Sequence, residues 1–317
     1  VLFYALKRLF YVIPIAVAVG FVCFFLVHLA PGDPMSSIAP PDAPATVIAE
    51  LRAIYGFDQP LPVQFVKWLG RAATGDLGRS IATGRPVTDE VLKAVSNTLI
   101  LAVGATLVGF TLGCLFGGVA GYFQGSWVDK LASGLAVAGV SVPHYWLGMV
   151  LVIIFSVQLN WLPAMGAGPG GSSEWAWDME HMRYVLLPAL TLSVIPMGFV
   201  TRTVRAVIAE ILNHEFVAAL RAKGLTDFGV FRHIVKNAAP TALAVMGLQL
   251  GYLLGGSILV ETVFSWPGTG FLLNAAIFQR DLPLLQGAIL VLALFFVMLN
   301  LLVDLAQTAI DPRIKRA

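Results

Sequence analysis

Charge is scarce in this sequence. Asp, Glu, Lys and Arg make up 12% of the 317 residues, whereas a soluble domain carries ~25%. So few charged side chains cannot cover a water-facing surface of this size, so much of the surface must face lipid. A net charge of only +2 argues against the strongly basic footprint of a nucleic-acid-binding protein. Cysteine is nearly absent: Cys23 and Cys114 each sit inside an apolar run, which excludes a disulfide framework. No Gly-x-x-x-x-Gly-Lys-Ser/Thr phosphate loop occurs, so the chain has no ATP site of that kind. His214-Glu215 begins like a zinc-protease motif, but Ala218 stands where the second His would be needed. No Gly-x-Ser-x-Gly nucleophile elbow is found either. These absences argue against a membrane enzyme. A self-sufficient secondary transporter or channel would place charged side chains near the bilayer midplane, and the apolar runs offer none.

What is present is long apolar runs. Hydrophobic residues make up 58% of the chain, and the mean hydropathy is +0.83. Six stretches lack Asp, Glu, Lys and Arg: 9–32, 94–128, 131–173, 184–201, 237–260 and 282–303. A spanning helix needs about 20 mostly apolar residues, and each stretch supplies one. The expected fold is an all-α integral membrane protein with six transmembrane helices near 9–29, 97–121, 133–159, 184–203, 239–262 and 284–307. The first run is too long for the h-region of a signal peptide and reads as an uncleaved anchor.

Six spans put both ends on one side. With the amino end inside, Lys7, Arg8, Lys130, Arg202, Arg205, Arg221, Lys223, Arg232, Lys236, Arg313, Lys315 and Arg316 are cytoplasmic, while the short outer loops hold only Arg183 and Arg280. This bias places the amino and carboxyl termini in the cytoplasm. The long loop at 30–96 is extracytoplasmic. It carries amphipathic helical patterns over Ala43–Tyr55 and Pro62–Ala73, suited either to capping the bundle or to docking an outer partner. Residues 1–317 read as one transmembrane domain, without the inverted repeat of many secondary transporters.

Two predicted spans carry glycine every fourth residue: Gly109, Gly113, Gly117 and Gly121, then Gly247, Gly251 and Gly255. Such ladders let helices approach closely in lipid, for packing or for a sliding gate. Pro188 and Pro196 favour a kink in the fourth span. Pro196, Gln249, Tyr252 and Ser257 are candidates to line a pathway, or to make ordinary interhelical contacts. Glu261 and Asp304, near helix ends, suit structural contacts or a proton relay. Phe264, Trp266 and Pro267 form an aromatic turn after the fifth span, either an interface anchor or an outer gate.

The inner loop at 204–238 reads as two helices around one break. Phe216, Val217 and Leu220 make an apolar patch beside the small Ala218 and Ala219, with Arg221 and Lys223 adding charge. Gly224 ends the first helix with positive φ, and Thr226 or Asp227 caps the next. The pair suits docking on a soluble partner through Phe216–Gly224; folding against its own bundle is the alternative.

This loop resembles that of the inner-membrane permeases of binding-protein-dependent ATP-binding-cassette importers, whose pattern is Glu-Ala-Ala, three residues, Gly, nine residues, Ile-x-Leu-Pro. Gly224 and Ile234 match in position. Ala218 stands where Glu is expected, and Lys236-Asn237 replaces Leu-Pro. The peptide and nickel branch fits better, through Arg221-Ala222-Lys223-Gly224-Leu225, Arg232-His233 and Lys236-Asn237-Ala238. The resemblance extends over Pro31-Gly32-Asp33-Pro34, Asp58-Gln59-Pro60-Leu61, Gly75-Asp76-Leu77-Gly78, Ser141-Val142-Pro143, Glu261 to Gly268, Asn300 to Asp304 and Asp311 to Ile314.

The resemblance implies a type I importer permease fold in a bacterial inner membrane. It also implies a second homologous permease, two cytoplasmic ATPases holding the ATP and Mg, and an extracytoplasmic substrate-binding protein. The chain itself would need no cofactor. The branch looks like the first permease of dipeptide and oligopeptide systems, whose close relatives carry nickel complexes or glutathione.

Overall fold

In lipid no water is available to the backbone, so an apolar segment must satisfy its N–H and C=O groups internally, as helix. The computed structural model, which describes residues 2–29, 43–55, 58–256 and 258–310, follows that rule. Its helices are α1 (Leu2–Leu29), α2 (Ala45–Tyr55), α3 (Leu61–Ala73), α4 (Val87–Tyr122), α5 (Trp127–Ser141), α6 (His144–Leu151), α7 (Met179–Leu212), α8 (Glu215–Ala222), α9 (Asp227–Gly256), α10 (Ile258–Val263), α11 (Thr269–Phe278) and α12 (Leu282–Ile310). A π-helical stretch over Val152–Gln158 continues α6. Among the described residues the only β pairing is two isolated bridges, Arg79 with Pro86 and Gly168 with Ser172.

The predicted spans at 9–29, 97–121, 184–203 and 284–307 fall within α1, α4, α7 and α12, and 239–262 covers parts of α9 and α10 on either side of Ser257, which lies outside the described residues. Val87–Tyr122, Met179–Leu212 and Leu282–Val303 are long and apolar enough to cross a membrane among the described residues. The third predicted span differs from a straight helix: α5 and the α6 segment meet at 101°. Pro143 causes the break. Its ring pushes the preceding residue out of helical geometry, and Val142 is extended at φ −79°, ψ 129°. By contrast, α7 runs through Pro188 and Pro196 as one element. The two amphipathic patterns of the long loop form α2 and α3.

The chain divides into two units. The first comprises residues 1–98 and 267–301. In it, α1 packs on α3 through Phe24, whose ring centroid lies 5.5 Å from Phe65 and 5.9 Å from Trp68. A Cβ at Gly20 would come within 3.2 Å of the Trp68 ring, so a small residue is needed at this approach. The buried Asp281 accepts hydrogen bonds from the Ser80 hydroxyl and from the Ala82 N–H at 3.1 Å, and caps α12 through the Leu284 N–H at 3.1 Å.

The second unit comprises residues 99–266 and 302–317. Its centre is α7, which buries Leu187, Leu192, Val200, Val204 and Ile208 among others. The α4 ladder packs directly on it. Cβ atoms built at Gly109, Gly113, Gly117 and Gly121 would lie 2.8, 2.8, 2.6 and 2.8 Å from atoms of Ser193, Val200, Thr201 and Arg205 respectively. On its other side α4 exposes Val103, Leu107, Leu115 and Val119, a face for lipid or a partner helix. On α7, Gly198 admits α5 equally closely, its Cβ position being 2.5 Å from Val140.

Candidate functional site

The inner loop is built from the end of α7, then α8, then the start of α9. Asn213 and His214 form the turn between the first two, and His214 stands extended as α8 begins. Gly224 ends α8 at φ +80°. The Gly224 N–H donates to the Arg221 carbonyl at 2.9 Å, and the Leu225 N–H to the Leu220 carbonyl at 3.2 Å. That pair of bonds is a Schellman turn, which needs the left-handed backbone that glycine adopts without strain. Thr226 then caps α9 by accepting from the Gly229 N–H at 3.3 Å.

The apolar side chains of this loop do not all point outward. Val217 is buried in a cluster with Val200, Val204, Ile208 and Ile211 of α7 and Val230, Ile234 and Ala238 of α9. Phe216, Leu220 and Leu225 pack against the same cluster. The expected anchors thus hold α8 onto its own bundle, because an apolar patch finds the nearest partner. Burial of Val217 alone is worth about 1.5–3 kcal/mol. The face left in solvent consists of Ala218, Ala219 and Ala222, flanked by Arg221 and Lys223. Nearby in sequence, Phe228 on the first turn of α9 is 77% exposed. The loop presents a smooth helical face of small residues with a basic edge and one large exposed ring.

A second element steadies this face. Asp129, buried near the start of α5, receives two hydrogen bonds from Arg205 of α7: Nε to Oδ1 at 2.6 Å and Nη2 to Oδ2 at 2.8 Å. The Gly125 N–H and the Ser133 hydroxyl also donate to this carboxylate, at 2.9 and 3.2 Å. The fork geometry is the strong, bidentate form of the pair. Arg205 lies two turns before α7 ends, so the bond ties the α4–α5 turn to the helix that carries α8. Sequence reading missed this pair, although Ser126-Trp127-Val128-Asp129 has the spacing of a helix-capping motif.

The aromatic turn is internal. Phe264 and Trp266 are fully buried in the second unit with Leu101, Ala105, Leu187 and Leu192. The Trp266 N–H donates to the Glu261 carbonyl at 2.8 Å, the Gly166 N–H donates to the Phe264 carbonyl at 2.8 Å, and Trp175 lies 5.6 Å from Trp266 between centroids. Ser265 adopts φ +48° at the tip. Pro267 begins the next segment of the first unit, its carbonyl accepting from Asn97 Nδ2 at 2.9 Å. Two such buried rings do not occupy the exposed position of an interface anchor. Glu261 is wholly buried as well.

Of the pathway candidates, Pro196 is buried against Gly109, while Tyr252 is exposed and Gln249 half-buried. Among the described residues Gln249 Oε1 is a buried oxygen with no hydrogen-bond partner. Ser257 and the motif residues 31–34 and 311–314 lie outside the described residues. Among the described residues, no three His, Cys, Asp or Glu side chains gather as a metal site would require.

Comparison with known proteins gives a consistent picture. Residues 109–316 match the family described as binding-protein-dependent transport system inner membrane component. Residues 1–102 match its N-terminal companion family. The chain is 39% identical over 313 residues to the glutathione transport system permease protein GsiC of Escherichia coli (strain K12), covering 98% of each chain. The protein of the same name from Salmonella paratyphi A shows the same identity and coverage. Among solved structures, an inward-facing MetNI methionine ABC transporter chain matches with a TM-score of 0.57 at 17% identity. That match covers 70% of this chain and 96% of that one, and it shows the fold alone.

Proposed function

Because the chain belongs to the family of binding-protein-dependent transport system inner membrane components, we propose that the exposed face of α8 is where ATP-driven movement of cytoplasmic ATPases enters the membrane helices. The chain is a multi-pass inner-membrane permease subunit of an ABC importer. In this reading it catalyses no reaction and holds no cofactor; ATP and Mg belong to two partner ATPases. A second, homologous permease completes the pathway, and an extracytoplasmic binding protein delivers cargo to the side opposite α8. Both termini are cytoplasmic.

The observation that carries the coupling role is the division of labour within α8. Val217 fixes the helix to α7 and α9, while Ala218, Ala219 and Ala222 leave a face flat enough for a groove to close on. A push on that face moves α7 directly. Phe264 and Trp266, packed at the far end of the same unit, act as the outer gate that this movement opens.

The cargo is a short peptide. The relatives named above are glutathione permeases, and glutathione is itself a small γ-linked peptide, so it is the first cargo to test. The test is to purify the cognate binding protein and identify its bound ligand by mass spectrometry. A dipeptide, oligopeptide or glutathione agrees with the proposal, and a nickel chelate overturns it.

A further inference from the structure

Where α7 begins, the second unit contains a cavity of ≈ 230 Å³ that the coupling role does not use. Ser156 of the π-helical stretch, Asn160 and Trp161 of the following loop, and Glu180, Arg183 and Tyr184 on α7 line it. The volume equals roughly eight waters at ~30 Å³ each. Two opposite charges face this space one helical turn apart. Among the described residues no ion pair joins Glu180 to Arg183. Arg183 donates one Nη to the Trp161 carbonyl, which leaves further N–H groups of its fork to donate.

The surroundings locate the cavity at a membrane boundary. The stretch of α7 from Arg183 to Leu212 rises about 44 Å at ~1.5 Å per residue, more than the ~30 Å of a hydrocarbon core. The inner loop lies in water at one end of α7, so the cavity lies in the opposite headgroup region. Trp161, which lines the cavity, is 60% exposed, and tryptophan concentrates where hydrocarbon meets water. Ile153 and Val157, on the same π-helical stretch as Ser156, are large exposed hydrophobics, as a surface that meets acyl chains requires.

We propose that this cavity binds the headgroup of a phosphatidylethanolamine lipid, its phosphate on Arg183 and its ammonium on Glu180. Arginine offers a planar, two-pronged donor to phosphate oxygens. A primary ammonium donates hydrogen bonds to the Glu180 carboxylate, whereas the trimethylammonium of phosphatidylcholine has no N–H to give. Asn160, Ser156 and Tyr184 supply polar groups for the remaining oxygens. The bound lipid fastens the loop at 160–163 to α7.

The test uses the full chain, reconstituted in vesicles holding equal amounts of phosphatidylethanolamine, phosphatidylglycerol and phosphatidylcholine. The protein is re-extracted in mild detergent, and retained lipid per protein is measured by mass spectrometry. Phosphatidylethanolamine is expected to be retained at least tenfold over the other two, with Glu180→Gln and Arg183→Ala each losing that preference. Arg183 also holds the Trp161 carbonyl, so Glu180→Gln, whose side chain makes no such bond, is the decisive variant. Equal retention of the three lipids by the wild type would overturn the proposal. So would undiminished preference in Glu180→Gln, or displacement of the lipid by millimolar glutathione, which would make the cavity a cargo site.

Discussion

Gly117 and Gly118 are neighbours on α4 with opposite surroundings, and together they isolate the cost of close packing. A Cβ at Gly117 would lie 2.6 Å from the Thr201 carbonyl oxygen and 2.8 Å from Val204 Cβ, while one at Gly118 would meet only Ile208 Cδ1, at 4.0 Å. Replacing either glycine by alanine raises helix propensity equally, by about 1 kcal/mol. That gain cancels when the two variants are compared. What remains at position 117 is a contact some 0.8 Å too short, against backbone that cannot rotate away, so α4 and α7 must separate. Overpacking of this kind costs about 1–3 kcal/mol. Equilibrium unfolding of the purified chain in mixed micelles should therefore show Gly117→Ala less stable than Gly118→Ala by that amount. Because α7 carries α8, uptake by the Gly117→Ala complex should fall as well. If Gly118→Ala is as destabilised as Gly117→Ala, the α4–α7 ladder is not the close contact described.

Arg205→Ala removes two charge-assisted hydrogen bonds from the Asp129 carboxylate, which costs about 1.5–3 kcal/mol, and thermal unfolding should report it; Asp129→Asn with Arg205→Gln, which removes both charges, should recover most of the loss. A single and double variant of equal stability would deny the pair its role. If the buried turn is the outer gate, replacing Phe264 and Trp266 by alanine, which removes two fully buried rings, should raise the basal ATP hydrolysis of the assembled importer in the absence of binding protein. Normal assembly with unchanged basal activity would remove the gate reading. Gly224→Ala should weaken the Schellman turn by about 1 kcal/mol and reduce uptake without preventing insertion, and wild-type uptake would show that the turn direction is immaterial.

The membrane character and the positions of the helices were legible because they follow from long-range composition. Lipid forbids charge and forces helix, so a charge-free run reads directly as a span. The break at Val142–Pro143 was also written in the sequence, as a proline in the middle of a run, but the continuity of charge-free residues on both sides concealed it. Pairings across many residues left no such trace. Asp129 and Arg205 are 76 positions apart, and Asp281 and Ser80 are 201 apart; each looks like an ordinary polar residue until the fold brings its partner. The direction of α8 was ambiguous for a different reason. Phe216, Val217 and Leu220 form an apolar patch that suits a partner's groove and the chain's own bundle equally well. Only the position of α7 and α9 decides that Val217 turns inward and Ala218, Ala219 and Ala222 turn out. The family resemblance identified the loop, while the geometry identified which side of it is free.

The central claim is that the free face of α8 engages the ATPases, and Ala219→Glu tests it most directly. Ala219 is exposed in the chain alone, so the substitution leaves the permease fold intact. Docking would then carry an unpaired carboxylate into a closed groove, where desolvation costs several kcal/mol. The measurement is co-purification of the ATPases with the tagged permease pair, scored beside ATP-driven uptake in the same vesicles. The expected result is a permease pair that inserts and assembles normally, retains at most a tenth of the wild-type ATPase, and transports nothing. A variant that keeps its ATPases and its uptake would contradict the claim, and coupling would have to be sought elsewhere than α8.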